Sequence, residues 1–122
     1  MNTLIAVFIG GGLGSITRFG ISKFITSGFK EINPVGTLTS NLVSTLLLGV
    51  LLYLTTDKFV ISPNLKALLT IGFCGGFSTF STFSYETFEL LRTGNYMFAV
   101  TNLLISIFLG IGVLFILARS IY

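Results

Sequence analysis

Four long apolar stretches constrain the fold of this chain more than any other feature of its sequence. They run from about Leu4 to Ile25, Val35 to Thr55, Leu65 to Leu91 and Tyr96 to Leu117. A helix of about 20 apolar residues crosses the hydrocarbon core of a bilayer. Only 9% of the 122 residues are charged and 52% are hydrophobic, more apolar surface than so small a soluble domain buries. The sequence therefore predicts an all-α integral membrane protein with four transmembrane helices.

Short connectors separate the four stretches and contain residues that end helices, namely Pro34, Pro63 and Gly94. Short links place consecutive helices antiparallel, so we expect an up-down bundle that forms a single domain over residues 1–122. The opening residues Met1-Asn2-Thr3 lack the positive charge of a signal peptide. The first stretch is therefore expected to remain as a membrane helix.

Composition argues against several functional classes. The net charge is +3, but the seven Lys and Arg are scattered singly, so no nucleic-acid partner is expected. The chain has no His and one cysteine, Cys74, so neither a conventional transition-metal site nor an internal disulfide is expected. The glycine run from Gly10 to Gly14 is not a dinucleotide-binding loop, because G-x-G-x-x-G requires glycine where Ser15 stands.

The basic residues divide almost evenly between the two ends of the predicted bundle. Three lie at one end and four at the other: Lys58, Lys66 and Arg119 against Arg18, Lys23, Lys30 and Arg92. An excess of positive charge normally fixes the orientation of a membrane protein. The near balance is either too small a count to be informative or a sign of dual topology, in which copies insert both ways and pair antiparallel. Charge alone leaves both interpretations open.

Polar and small residues in the first two stretches have distinct interpretations. Gly10 and Gly14 have the four-residue spacing that lets membrane helices approach closely. Arg18, one turn later, is either an anchor that reaches lipid headgroups or a charge that attracts anions at a vestibule. Asn41 must face protein or water, because an unpartnered amide in lipid is costly. An interhelical hydrogen bond and a position on an aqueous path both satisfy that requirement.

The third stretch contains the most informative segment, residues 72–84, which reads GFCGGFSTFSTFS. Gly75 and Gly76 weaken a helix in mid-span, so we expect the third helix to be broken there. Membranes tolerate a break only where it is buried in protein or lines a wet cavity, and freed carbonyl oxygens suit a small cation. Phe80 and Phe83 share a helix face, and their positive ring edges favour an anion weakly. Packing inside the bundle or contact with lipid would equally explain these rings.

This segment resembles the Fluc (CrcB) fluoride channel family, and so do the glycine run that leads to Arg18 and Gly36-Thr37-Leu38 that leads to Asn41. The resemblance covers essentially the whole chain. It implies a fluoride-selective channel, without catalytic chemistry, that exports fluoride passively across the inner (plasma) membrane. It also implies an antiparallel, dual-topology homodimer with two pores and a structural sodium ion at the dimer axis.

The resemblance also implies roles for individual residues. The backbone carbonyls of Gly75 and Ser78 from each subunit would bind sodium. Phe80, Phe83 and the amide of Asn41 would line the fluoride path. Other residues implied along or near this path are Ser81, Thr82, Glu86, Thr87, Asn102 and Ser106. Of these Asn102 stands where some members of the family are expected to carry an aromatic or hydroxyl residue, so the residues do not match throughout.

Two other classes of protein compete with this interpretation. A small proton-coupled multidrug transporter also has four short helices, but it needs a carboxylate within the first span. Here Glu86 and Glu89 lie late in the third. A structural subunit that conducts nothing would tolerate replacement of Phe80 and Phe83 with little functional change.

Overall fold

The computed structural model of the chain describes residues 2–26, 34–55 and 60–119. These residues contain no strand. Four helical spans are long and apolar enough to cross a membrane: Thr3–Ile25, Val35–Tyr53, Pro63–Arg92 and Tyr96–Ala118. The predicted helical class and the positions of the four spans are confirmed. Lys30 and Lys58 lie outside the described residues, so the charge balance between the ends of the bundle stays a prediction.

The individual elements follow the turn and cap signals of the sequence. They are α1 (Thr3–Thr26), α2 (Val35–Tyr53), α3 (Pro63–Ala67), a π-helical segment (Leu68–Cys74), α4 (Gly75–Phe77), α5 (Phe80–Arg92) and α6 (Tyr96–Ala118). The Ser62 side chain accepts a hydrogen bond at the start of α3, next to Pro63. Gly94, whose φ is 86°, lies in the turn between α5 and α6, where glycine adopts the left-handed backbone without strain.

The spans form two parallel pairs. Near the starts of α1 and the third span, the Thr3 hydroxyl donates a hydrogen bond to Asn64 Oδ1 at 2.7 Å, and the two spans remain in contact further along. Near the ends of α2 and α6, Gly49 packs against Leu117. Gly36, in the first turn of α2, lies against Ser22 in the last part of α1. The two pairs therefore run in opposite directions, as the short connectors predict.

Glycines bring α1 and the third span into backbone contact. A methyl carbon added at Gly10 would overlap the carbonyl oxygen of Leu68, and one at Gly14 would overlap that of Phe73. A methyl carbon at Gly76 would lie 2.5 Å from a backbone oxygen of α1. Backbone atoms cannot rotate away as side chains can, so these positions have room only for hydrogen. The predicted close helix contact through Gly10 and Gly14 is confirmed.

The backbone of the third span is extended at two residues. Ser78 has φ −91° and ψ 158°, and Thr79 has φ −151° and ψ 127°. The glycine pair is not the point of unwinding that the sequence indicated, because Gly75 and Gly76 belong to α4. Gly76 is used for contact with α1 instead, and the extended residues follow that contact. The Thr79 hydroxyl then accepts a hydrogen bond from the Thr82 N–H and caps α5.

Candidate functional site

A groove lies between α2, α5 and α6 beside the extended residues. Its volume is about 650 Å³. Amides, hydroxyls and phenyl rings line it together with aliphatic side chains. The lining residues are Asn41, Thr45, Ser78, Thr79, Phe80, Phe83, Ser84, Thr87, Phe88, Leu91, Leu103, Ser106 and Ile107. The groove thus combines several hydrogen-bonding groups with an otherwise apolar wall.

Asn41 joins α2 to the extended backbone by two hydrogen bonds. The Thr79 N–H donates to Asn41 Oδ1 at 2.8 Å, and Asn41 Nδ2 donates to the Thr79 carbonyl oxygen at 3.2 Å. Of the two interpretations of Asn41, the interhelical hydrogen bond is present. The side chain also lines the groove, and its Nδ2 has two N–H groups, so one remains beyond the bond to Thr79.

Side chains from α1 and α2 also bind carbonyl oxygens that precede the extended residues. The Cys74 carbonyl accepts hydrogen bonds from the Ser78 N–H, the Ser78 hydroxyl and the Ser44 hydroxyl, at 3.1, 3.0 and 2.8 Å. The Gly76 carbonyl accepts one from Arg18 Nε at 3.0 Å. Arg18 is therefore held inside the bundle by its Nε and is not simply a headgroup anchor, while its other guanidinium N–H groups leave the vestibule role open.

The carbonyl oxygens of Gly75 and Ser78 are among those that lose the backbone donors that a continuous helix would supply. The Thr79 N–H would bond to the Gly75 carbonyl but is bound by Asn41. The Thr82 N–H would bond to the Ser78 carbonyl but is bound by the Thr79 hydroxyl. Gly75 is also exposed, with open space where a side chain would lie. Hard carbonyl oxygens suit sodium, so both residues fit the predicted ligand set, although two oxygens from one chain do not complete a coordination shell.

Phe80 and Phe83 place their rings side by side at the groove. The ring centroids are 6.1 Å apart and the planes are inclined by 37°. Phe80 is 79% exposed, whereas Phe83 is partly buried. Both rings line the groove, as a shared helix face predicts.

Several buried polar atoms have no hydrogen-bond partner among the described residues. They are Ser40 Oγ, Glu86 Oε1, both amide atoms of Asn102, and Ser106 Oγ. A buried polar group without a partner is a common sign of a water or ion site. Asn102 and Ser106 are four residues apart on α6 and so share one face of that helix. They provide hydrogen-bonding capacity that the protein itself does not use.

Asn102 is 4% exposed and borders a second cavity of about 370 Å³ between the first turns of α2 and of α6. The other residues that line this cavity are Pro34, Val35, Leu38, Met97, Phe98, Thr101 and Ile105. Glu86 of α5 lies within hydrogen-bonding reach of the Thr37 hydroxyl on α2. Asn102 and the Glu86 carboxylate therefore both lie beside the start of α2, outside the lining of the groove.

The structure brings about half of the predicted site residues together. Asn41, Ser78, Phe80, Phe83, Thr87 and Ser106 line the groove. Arg18, Gly75, Ser81, Thr82, Glu86 and Asn102 lie outside its lining. Among these, Ser81 is exposed, and its hydroxyl oxygen lies 3.3 Å from that of Thr79.

The sequence interpretation missed three polar residues of this region: Thr37, Ser44 and Thr45. A signal for them was available, because α2 carries polar residues four apart in two rows: Thr37, Asn41 and Thr45, and Ser40 and Ser44. Residues with that spacing lie on one face of a helix. Such rows within a membrane span indicate a face turned towards protein or water.

The hydroxyls that line the groove differ in whether they have a proton to donate. Thr45 donates to the Asn41 carbonyl and Thr87 donates to the Phe83 carbonyl, each at 2.8 Å within its own helix. Their protons are committed unless the hydroxyls rotate. Ser106 has no partner and so retains its proton for a ligand. Of these three hydroxyls, only that of Ser106 has no hydrogen-bond partner among the described residues.

Comparisons with known proteins agree with the resemblance seen in the sequence. Residues 5–118 match the family model described as CrcB-like protein, Camphor Resistance (CrcB). A Pyrococcus horikoshii protein named "Fluoride-specific ion channel FluC" is 49% identical over 117 residues, 93% of each chain. The protein of the same name from Pyrococcus abyssi is 43% identical over 122 residues, 98% of each chain. That from Leptospira interrogans is 42% identical over 114 residues, 93% of this chain and 89% of its own.

Proposed function

The chain belongs to the CrcB-like family, and on that premise we propose that it is a fluoride-selective ion channel through which fluoride leaves the cell passively. It is a multi-pass membrane protein, and its relatives carry the name of an ion channel and not of an enzyme. The single observation that carries the proposal is the groove between α2, α5 and α6, where unused hydrogen-bond donors meet two phenyl rings. We assign the channel to the inner (plasma) membrane.

Fluoride would follow the groove past Phe80 and Phe83 and then the unpartnered groups of α6. A small anion with tightly held water needs donors to replace that water, and Ser106, Asn102 and the remaining N–H of Asn41 offer them. The phenyl rings contribute their positive edges. Further polar residues on or near the route are Ser81, Thr82, Glu86 and Thr87.

Release of the anion would be fast because no Lys or Arg among the described residues lines the groove. Conduction requires binding that is favourable enough for entry and weak enough for exit, and a buried fixed cation would hold fluoride too firmly. Arg18 is nearby in the bundle, but its Nε is bound to the Gly76 carbonyl. Its charge is therefore assigned to attraction of anions at a vestibule, not to a binding site within the path.

The conducting unit would be an antiparallel homodimer of dual topology with two pores. One chain leaves α6 largely exposed, with Phe108 and Phe115 at 69% and 70%, and lipid or a second copy would cover such a surface. A sodium ion at the dimer axis would be bound by the carbonyls of Gly75 and Ser78 from both subunits. These two carbonyls from each subunit, four oxygens in all, have no backbone donor in the fold and would coordinate the ion. Its role would be structural.

Efflux from proteoliposomes tests the proposed function directly. Vesicles loaded with fluoride or chloride are diluted into a solution without that halide, and release is followed with an ion-selective electrode. We expect rapid loss of fluoride and negligible loss of chloride. Equal rates for both halides, or none for either, would contradict the proposal.

A matched pair of variants tests whether the groove is the route. Phe83→Ile changes a ring that lines the groove, whereas Phe8→Ile changes an exposed ring on α1, outside the groove lining and away from α6. We expect fluoride efflux to fall in the first variant and to remain unchanged in the second, with both proteins folded. Normal efflux in Phe83→Ile would favour a structural role for the ring. If the wild type and the variant both release no fluoride, a subunit that conducts nothing is favoured.

The multidrug-transporter alternative has little support from the acidic residues. Both carboxylate oxygens of Glu89 bind Arg92, at 3.0 and 2.6 Å, so Glu89 is paired at the end of the span. Glu86 is the remaining carboxylate of that span, and it lies beside Thr37. Proton-driven uptake of a cationic dye by the same proteoliposomes would revive this alternative.

A further inference from the structure

Asn41 does more than line the groove, because both polar atoms of its side chain bind the backbone of Thr79. Its oxygen accepts from the Thr79 N–H and its nitrogen donates to the Thr79 carbonyl, so one side chain binds both polar groups of one backbone residue. Thr79 is extended, and no neighbouring strand supplies the ladder that usually satisfies extended backbone. The amide of Asn41 takes the place of such a strand. Without it, the Thr79 N–H would lose its partner, whereas the Thr79 carbonyl, as the N-cap of α5, would keep the first bond of that helix. A backbone donor without a partner is costly within a membrane.

The planarity of the peptide bond extends this effect to the neighbouring residues. The Ser78 carbonyl and the Thr79 N–H belong to one rigid plane and point in opposite directions in the trans form. The chain has no cis peptide among its described residues. Because Asn41 holds the Thr79 N–H towards α2, the Ser78 carbonyl is directed away from α2. In the same way, the bond to the Thr79 carbonyl fixes the plane that leads into Phe80.

We propose that Asn41 is a positioning residue that acts through both peptide planes of Thr79 and so sets, together, the direction of the Ser78 carbonyl and the placement of the Phe80 ring. The inference rests on the proposed function, because Ser78 is assigned to the cation and Phe80 to the anion path. It adds a coupling between the cation site and the anion path. One amide on α2 orients both the Ser78 carbonyl, which would bind the cation, and the Phe80 ring, which would line the path. The cost of losing Asn41 is then a disordered segment, and not only a missing contact to fluoride.

The chain offers two matched controls on the same helix. Ser44 donates one hydrogen bond from α2 to the Cys74 carbonyl of the same span, and that carbonyl keeps two other donors from Ser78. Ser44→Ala thus removes an interhelical hydrogen bond and leaves Thr79 bound. Thr39 donates only within its own helix, to the Val35 carbonyl, so Thr39→Ala tests the general effect of a substitution on α2.

Backbone hydrogen exchange at Thr79, measured in lipid nanodiscs, gives a readout that does not depend on conduction. In Asn41→Ser we expect the Thr79 amide to exchange about tenfold faster or more, as loss of its hydrogen bond dictates, with amides in the middle of α6 unchanged. Ser44→Ala and Thr39→Ala should leave Thr79 unchanged. Thermal unfolding is also measured at increasing sodium concentration. The concentration that gives half of the maximal stabilisation should rise in Asn41→Ser and in neither control, because Asn41 no longer orients the Ser78 carbonyl towards the ion.

Asn41→Gln separates positioning from direct contact and also serves if Asn41→Ser does not fold. Gln keeps the amide but displaces it by one methylene, so positioning predicts fast exchange at Thr79 and low fluoride efflux. Efflux near the wild-type rate with fast exchange would overturn the proposal, and so would loss of efflux with Thr79 exchange and sodium response unchanged. If wild-type vesicles release no fluoride, the proposed function fails, while Thr79 exchange in the two variants still decides whether Asn41 orders this segment.

Discussion

The third span packs against its neighbours in two contrasting ways. Towards α1 it presents Gly72 and Gly76, and the contact is backbone against backbone with no room for a methyl group. Towards α2 and α6 it presents phenyl rings and hydroxyls beside a groove, and buried polar atoms nearby lack partners. One side is closed by the smallest side chains, and the other is kept open by larger ones.

Because of this difference, four helices keep a groove open beside the third span while the bundle stays tightly packed against α1. Helices in lipid gain little from hydrophobic association and depend on close packing and hydrogen bonds. The α1 contact supplies that packing along residues 63–77 of the third span, so the groove beside the rest of that span does not have to be filled. Substitutions on the closed side should therefore act on stability, and substitutions on the open side should act on conduction.

The largest effect is expected at Gly14. A methyl group there would overlap the Phe73 carbonyl and lie 2.8 Å from the Phe77 N–H, and neither backbone atom can move alone. We expect Gly14→Ala to lower the free energy of unfolding by about 3 kcal/mol, measured by thermal unfolding in detergent and by the yield of folded protein.

Gly12→Ala is the control for Gly14→Ala, since no atom of the described residues, apart from the adjoining residues and backbone of α1 itself, lies within 4 Å of the added carbon. It should leave stability unchanged or raise it by about 0.5 kcal/mol, through the smaller entropy of the unfolded chain. Similar losses in both variants would remove the basis for a closed side.

The next largest effect is expected at Asn102, where stability and fluoride efflux should respond differently. Both amide atoms are buried without a partner, so Asn102→Leu removes desolvated polar groups and should leave stability unchanged or raise it by about 1 kcal/mol. Fluoride efflux should fall about tenfold, the equivalent of one lost hydrogen bond to the ion. Ile105→Leu, in the same cavity, should change neither property, and a stability loss in Asn102→Leu would indicate a structural amide.

A smaller effect is expected at Gly49, between α2 and α6. An added methyl group would meet the end of the Leu117 side chain, which can rotate where a backbone carbonyl cannot. We expect Gly49→Ala to lower the free energy of unfolding by about 1 kcal/mol, clearly less than Gly14→Ala in the same unfolding assay. An equal or larger loss would mean that both helix pairs are packed with the same rigidity.

The smallest effect is expected at Thr3, at the edge of the closed side. Its hydroxyl donates to Asn64 at 2.7 Å in an exposed position, where water replaces a lost partner. Thr3→Val should lower the free energy of unfolding by about 0.5 kcal/mol. Thr17→Val, which loses a hydrogen bond within α1 only, is the reference, and a difference between the two variants reports the interhelical part.

Much of the fold follows from the sequence because hydrophobic length is a strong signal in membranes. The four spans begin and end close to the predicted residues, and Gly10 and Gly14 contact another helix as their spacing indicates. The position of the extended backbone did not follow. Glycine both weakens a helix and permits close packing, and only the contact with α1 decides that Gly76 serves packing while Ser78 and Thr79 are extended.

The site was less predictable, for a related reason. Asn41 and the two rings are conspicuous in a membrane span, and all three line the groove. Thr45 is inconspicuous, because a hydroxyl that bonds to its own helix costs nothing in lipid and so carries no signal alone. The unpartnered state of Ser106 depends on which groups α6 meets, and no spacing in one sequence records that.

The contact between Gly14 and Gly76 also has a consequence for the timing of biosynthesis. The ribosome delivers α1 first and then the whole of α2, and only after several more seconds of translation does the segment arrive that α1 packs against. Until then the glycine face of α1 lies against lipid or the insertion machinery, and Arg18 has no Gly76 carbonyl to bind. The close contact between α1 and the third span therefore forms late in synthesis. The rate at which residues 63–77 enter the bilayer sets the time at which this contact forms.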